Sequence, residues 1–183
     1  IGGHGRGTVP PGRSSADNLT NWDDTYGYVV YTITPWTLSA GGSQKCSGTP
    51  VRDTVWVEPT PVVVATPMKD TICNGDATAI LLTSPTSSTN GVEFNYTSTS
   101  SDGTIGGHGS GTLTPGQSIT DNLTNSDDTY GYVVYTITPW TLSAGGSQKC
   151  SGTPVRDTVW VEPTPVVVAT PLKDTICNRD IVR

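Results

Sequence analysis

The residues with chemical potential in this chain come in repeated sets. His4 and His108 are one position, each within Gly-Gly-His-Gly, and Asp23-Asp24 recurs as Asp127-Asp128. There are also four cysteines and five tryptophans. General acid–base work needs two carboxylates converging on one reacting centre, whereas neighbours on a strand point to opposite faces. No nucleophile-elbow serine, helical zinc-protease motif or phosphate loop is present. The reading is therefore a non-enzyme with no catalytic residue, in which the loop histidines are solvated. Ca²⁺ is a hard ion that wants several oxygens, and Asp127-Asp128 could supply some of them. The spacing is not that of an EF-hand, so an Asx-type turn leading into a strand is favoured and no cofactor is assigned. No CxxC and no neighbouring His pair offers a zinc site. Trp140 and Trp160 could form a sugar-stacking platform or seal an interface. Trp160 shares a strand face with Arg156 and Thr158, opposite Val155, Val159 and Val161, which predicts a partly exposed ring. Packing at a domain joint is the favoured reading.

Composition limits what can position these residues. The chain has 183 residues, a formal net charge of −6, Gly 21 and Pro 14, and only 33% hydrophobic residues. Short β-branched runs punctuated by Pro, Gly, Asn and Asp indicate an all-β chain, and no run has helical period. Thr-rich strands tolerate low hydrophobicity because a sandwich solvates its outer faces. Ten basic residues, scattered along the sequence, do not make a phosphate-binding surface, so no nucleic-acid partner is expected. The run Val62–Ala65 is of strand length, and no stretch approaches a membrane span.

Self-similarity organises the rest. Ile1-Gly-Gly-His-Gly5 matches Ile105-Gly-Gly-His-Gly109, and Asp17–Asn74 matches Asp121–Asn178 except at Trp22/Ser126 and Met68/Leu172. The period is one domain length, which predicts a tandem array of sandwiches rather than a solenoid. Glu58-Pro-Thr-Pro61 and Glu162-Pro-Thr-Pro165 each follow a strand and precede a fresh Val run. Two prolines in three residues cannot occupy a central strand and make a stiff, extended joint. The expected division is therefore 1–59 as the C-terminal part of one repeat, 60–163 as a complete repeat and 164–183 as the first strands of the next. The chain starts inside a motif seen again at Ile105, so its true beginning is expected to lie upstream. Within the complete repeat the patterning predicts about seven strands. The centre is Tyr130–Leu142, where Val133, Tyr135 and Ile137 alternate with Tyr132, Val134 and Thr136. The fold class is an all-β, immunoglobulin-like antiparallel sandwich.

Thr71-Ile-Cys-Asn-Gly-Asp76, Val134-Tyr-Thr-Ile-Thr-Pro139, Lys149-Cys-Ser-Gly-Thr-Pro154 and Thr158-Val-Trp-Val-Glu-Pro-Thr-Pro165 resemble, in order and spacing, the PKD-like, immunoglobulin-like repeats of giant Bacteroidetes surface proteins. These include the gliding-motility adhesins exported by the type IX system. The resemblance covers the whole repeat. It implies an extracellular, repetitive adhesin or stalk at the cell surface or in a secreted filament. The partners would then be neighbouring repeats, with lateral copies, glycans or surfaces beyond them. The Trp residues depart from the family's usual pattern.

In such an extracellular setting an even cysteine count implies disulfides. The first expectation is Cys73–Cys150, tying the first strand to the start of the last. That bridge would contribute roughly 4 kcal/mol in the chain-entropy model. Cys46 and Cys177, their repeats, would then pair outside this stretch. The rival is a bridge between successive domains. Asp-Thr-Val or Asp-Thr-Ile, at Thr54, Thr71, Thr158 and Thr175, resembles a Bacteroidetes O-glycan acceptor, and an ordinary Thr-rich strand is the equal alternative. Asn95-Tyr-Thr97 and Asn122-Leu-Thr124 fit the N-glycan sequon, a weak signal here. The functional expectation is a structural and adhesive stalk; the alternative is an array of carbohydrate-binding modules in a secreted protein.

Overall fold

A computed structural model of the protein describes residues 1–170. Every described element is a strand. The first copy forms β1 (Gly27–Ile33), β2 (Trp36–Leu38), β3 (Gln44–Ser47) and β4 (Val51–Val57). The second forms β5 (Val64–Thr66), β6 (Lys69–Cys73), β7 (Ile80–Thr83), β8 (Val92–Ser100), β9 (Ile105–Gly106), β10 (Gly111–Leu113), β11 (Ser118–Ile119), β12 (Thr124–Asn125), β13 (Gly131–Leu142), β14 (Gln148–Ser151) and β15 (Val155–Glu162).

The larger sheet runs β10-β8-β13-β15-β6, with β14 also on β13; the facing sheet is β11-β7-β5. β13 is central, antiparallel to β8 and β15, while β6 lies parallel to β15. Its expected two-faced period is realised residue by residue, buried and half-buried positions alternating from Gly131 to Leu142. The inward row of Val133, Tyr135 and Ile137 meets Phe94, Val159 and Val161 of the same sheet and Ile80, Leu82 and Ala65 of the other. All the fully enclosed apolar side chains lie between Val63 and Val161. Three short strands lie in stretches without strand patterning: β9 in the Gly-rich stretch after Ser100, β12 at the entry to the Asn125–Asp128 turn, and β14 after the Ser143–Ser147 loop, opposite Trp140 and Leu142. The sequence predicts one strand over Ala77–Thr83, but the ladder covers only Ile80–Thr83, and Ala77 makes an isolated bridge to Asn122.

Gly27–Val57 repeats the sequence of Gly131–Val161 but, among the described residues, has fewer neighbours. β1 pairs β4 in the register of β13 with β15, Gly27 opposite Val57 and Ile33 opposite Val51. Among the described residues no counterpart of β8 lies alongside. The strand that is continuous in β13 across Thr138-Pro139 is therefore broken at Thr34-Pro35 into β1 and β2. Proline cannot donate to a ladder, so the strand stays straight through it only when pairing on its flanks fixes the path. The apolar row is exposed accordingly.

The expected Cys73–Cys150 bridge is not formed, and among the described residues Cys46, Cys73 and Cys150 make no disulfide. Strand register gives the reason. Cys73 is opposite Glu162, one step beyond the Gly131–Val161 pair, whereas the Cys150 amide donates to Thr141 Oγ1. At about 3.3 Å per strand residue these levels are ~35 Å apart along β13. A disulfide requires Cα atoms within roughly 7 Å. The two thiols mark opposite poles of one sandwich. Cys177 and Thr175 lie outside the described residues.

Candidate functional site at the joint between copies

β4 ends at Val57, and the chain crosses to the second sandwich through Glu58-Pro-Thr-Pro61, of which Pro59 and Pro61 are buried. The downstream pole of the first copy meets the upstream pole of the second. Thr25 forms a parallel bridge with Ser87: the Tyr26 amide donates to the Ser87 carbonyl at 2.9 Å, and the Ser87 amide to the Asp24 carbonyl at 2.8 Å. The Glu58 carboxylate accepts from the Thr89 amide at 3.2 Å and from the Thr89 hydroxyl. An open cleft of about 460 Å³ remains between the copies, lined by Tyr26, Trp56 and Glu58 on one side and Thr89, Asn90 and Lys149 on the other. The polar Ser84–Asn90 stretch supplies much of this joint. Nothing in its composition names its partner.

The aromatic residues fall into place around the same pole. Trp160 is on the outer face of β15, opposite Tyr132 and Thr71. Its ring packs against Tyr132 at 4.9 Å and Tyr130 at 5.4 Å between centroids, and Lys69 Nζ stands 5.8 Å over it. The half-buried ring agrees with the partial exposure expected for it. Trp56 repeats the cluster with Tyr28 at 5.1 Å and Tyr26 at 5.7 Å. Trp140 shares this face but lies at the other pole, opposite Glu93 and Ser151. Trp140 and Trp160 therefore do not make a common sugar platform. The partners of Trp160 were legible only as Tyr130-Gly-Tyr132, two aromatics spaced to share one strand face.

His108 is held rather than free. Its Nδ1 lies 2.8 Å from Ser98 Oγ, and that hydroxyl donates to the Gly109 carbonyl at 2.5 Å. Asp121 accepts from the Gly109 amide and from the Tyr135 hydroxyl, both at 2.9 Å. Ser98 and Asp121 thus hold the His108-Gly109 turn from two sides, as a brace. With its proton on the Gly109 carbonyl, the Ser98 oxygen accepts from His108 Nδ1–H, so in this arrangement the imidazole does not act as a base toward the serine. The solvated histidine expected from sequence applies to His4, which is exposed. Gly107 explains the glycine before His108: its φ is +83°, and a Cβ there would lie 1.9 Å from the Asn122 carbonyl oxygen.

Asp127 and Asp128 make the turn into β13. The Asp127 amide donates to Asn125 Oδ1 at 3.0 Å, with Asn21 and Asp23 repeating the contact at 3.1 Å. The Asn125 side-chain amide also donates to the Thr129 and Val161 carbonyls, which anchors the turn. Among the described residues no group of three or more His, Cys, Asp or Glu side chains is placed to hold a metal ion. Of the Asp-Thr positions, Thr54 and Thr71 are exposed and Thr158 is half-buried on the outer face, with Val159 inward as expected.

A search of curated proteins gives no match. The PKD-like domain family matches residues 7–61 and 70–165, which span both copies. Domains of this type are generally non-catalytic and typically extracellular. With two copies of one immunoglobulin-like sandwich pattern matched over most of its length, this chain belongs to the PKD-like domain family.

Proposed function

We propose that the chain is part of an extracellular stalk in which PKD-like units stack head to tail and present adhesive surface at a distance from the cell. Residues 60–163 are one such unit. The observation that carries this reading is the composition of the joint. Asp24, Thr25, Tyr26, Trp56 and Glu58, which meet the second copy, recur as Asp128, Thr129, Tyr130, Trp160 and Glu162 at the far pole of that copy. A unit whose downstream pole repeats a surface already used to seat the next unit is suited to propagate the same joint. The buried prolines and the backbone bridge favour a stiff rod over a flexible string. Near-identity of the copies fits a spacer, in which every unit does the same job.

The glycan-binding alternative is weakened by the first copy, where the equivalent Trp56 and Tyr26 line the joint. Small-angle scattering and electron microscopy of a multi-unit chain test the proposal. Extended particles are expected, lengthening by about 40 Å or more per added unit, given the twelve-residue β13. Units that tumble independently would overturn it. Glycan-array binding lost in Trp160→Ala would instead favour the carbohydrate-binding reading.

A further inference from the structure

We infer that Cys73 of one unit and Cys150 of the following unit form a disulfide across each joint, so that a stack of units is covalently stitched at every step. The inference rests on the head-to-tail reading above and goes beyond it. The two thiols sit at opposite poles of a sandwich, which leaves one from each side at every joint. The proline linker brings them together. Asn74, next to Cys73, donates from its side-chain amide to Thr164 Oγ1 of the downstream linker at 2.9 Å. Gly152, two residues after Cys150, packs on the upstream linker so closely that a Cβ there would lie 1.8 Å from the Pro61 carbonyl oxygen. Thr164 and Thr60 are the same linker position, and Pro61 is its next residue. Across a single linker, therefore, the Cys73 strand end touches one residue and the Cys150 strand end touches its neighbour.

The side-chain directions support the same pairing. Cys73 is opposite Glu162 in the sheet, so both project from one face. The repeat of Glu162 is Glu58, which reaches across the joint to Thr89 and lines the cleft with Lys149, the residue before Cys150. A strand running beside β4 as β6 runs beside β15 would bring its cysteine to the rim of that cleft. The cleft is open there, and Cys73 is exposed. The bond forms by two-electron oxidation of the two thiols. A small-molecule or protein disulfide is the oxidant; it takes up both electrons and both protons and leaves as two thiols.

The test uses a tandem of two Thr60–Pro163 units, each of which contains the whole enclosed apolar core. After equilibration with oxidised glutathione, the chain is alkylated and digested without reduction. One bridge and two alkylated thiols per chain are expected. The bridge should vanish with Cys73→Ser in the first unit or Cys150→Ser in the second, and survive Cys150→Ser in the first or Cys73→Ser in the second. Four alkylated thiols, a bridge within one unit or bridges only between chains would overturn the inference. Small-angle scattering of the variant without cysteines separates the two proposals. An extended, stacked particle with no bridge in the parent chain leaves the stalk standing and removes the stitch. Independently tumbling units remove the stalk itself.

Discussion

The Tyr135 hydroxyl donates to Asp121 at 2.9 Å from within the core, and Tyr31 donates to Asp17 at 2.8 Å in the other copy. In both, the same carboxylate takes the amide of the last glycine in Gly-Gly-His-Gly. The pair therefore fastens an irregular, glycine-rich loop to the central strand. Burial and then the Asp121 hydrogen bond keep the Tyr135 phenol protonated far above its ordinary range. Tyr135→Phe should cost about 1–3 kcal/mol by leaving an acceptor under-satisfied. A thermal melt with hydrogen exchange at Gly109 checks this. Unchanged stability with unchanged protection of the Gly109 amide would show that the pair does not brace the loop.

Asp157 is nearly fully buried on β15, and neither carboxylate oxygen has a hydrogen-bond partner. Burial pushes its pKa up to about 6, partly offset by the neighbouring Thr158 backbone amide, and the Asp70 charge adds to the rise. The native state thus holds a proton that the unfolded chain, with a pKa near ~3.9, has already released. Stability is full below the unfolded value and declines as pH rises through about 6, by up to about 3 kcal/mol. Asp157→Asn mimics the protonated form. It should raise the melting temperature at pH 8 and change it little at pH 4, flattening the pH profile. An equal gain at both pH values would mean that the carboxylate does not titrate in this range.

Gly152 tests the joint itself. The obstacle to a Cβ at this position is the Pro61 backbone, which cannot move aside as a flexible side chain would. Gly152→Ala should unseat the linker and expose the bond after Pro61 to proteolysis, at a cost typical of overpacking, about 1–3 kcal/mol. At the repeat position, Gly48, the nearest obstacle is the ring of Pro35 at 2.9 Å, so Gly48→Ala should be milder. Limited proteolysis of the two variants side by side gives the comparison.

Local rules made the sandwich legible. The two-residue period of Tyr130–Leu142 and the Pro-Thr-Pro punctuation follow from side-chain direction and proline chemistry, and the exact repeat supplied the rest. The joint was not legible, because Ser84–Asn90 carries no pattern that names Asp24, Tyr26 and Glu58 as its partners. The thiol pairing failed for a related reason. Sequence placed Cys73 near a turn and Cys150 near a hairpin without deciding whether the two share a pole, and along β13 that difference decides whether they can touch. The fate of Pro35 against Pro139 likewise depends on a flanking strand that no local rule reports.

That dependence on neighbours gives the sharpest test. Ile33 and Ile137 occupy the same position in identical stretches of sequence, but Ile33 is 57% exposed whereas Ile137 is fully enclosed between the sheets. Ile137→Ala should cost about 2–5 kcal/mol, as cavity-forming truncations in close-packed cores do. Ile33→Ala should stay within about 0.5 kcal/mol, the range of surface changes. Both are read from urea unfolding of the same chain, so host and solvent cancel. If the two substitutions cost the same, the first copy has found a cover for β1, and the packing difference between the copies does not hold in solution.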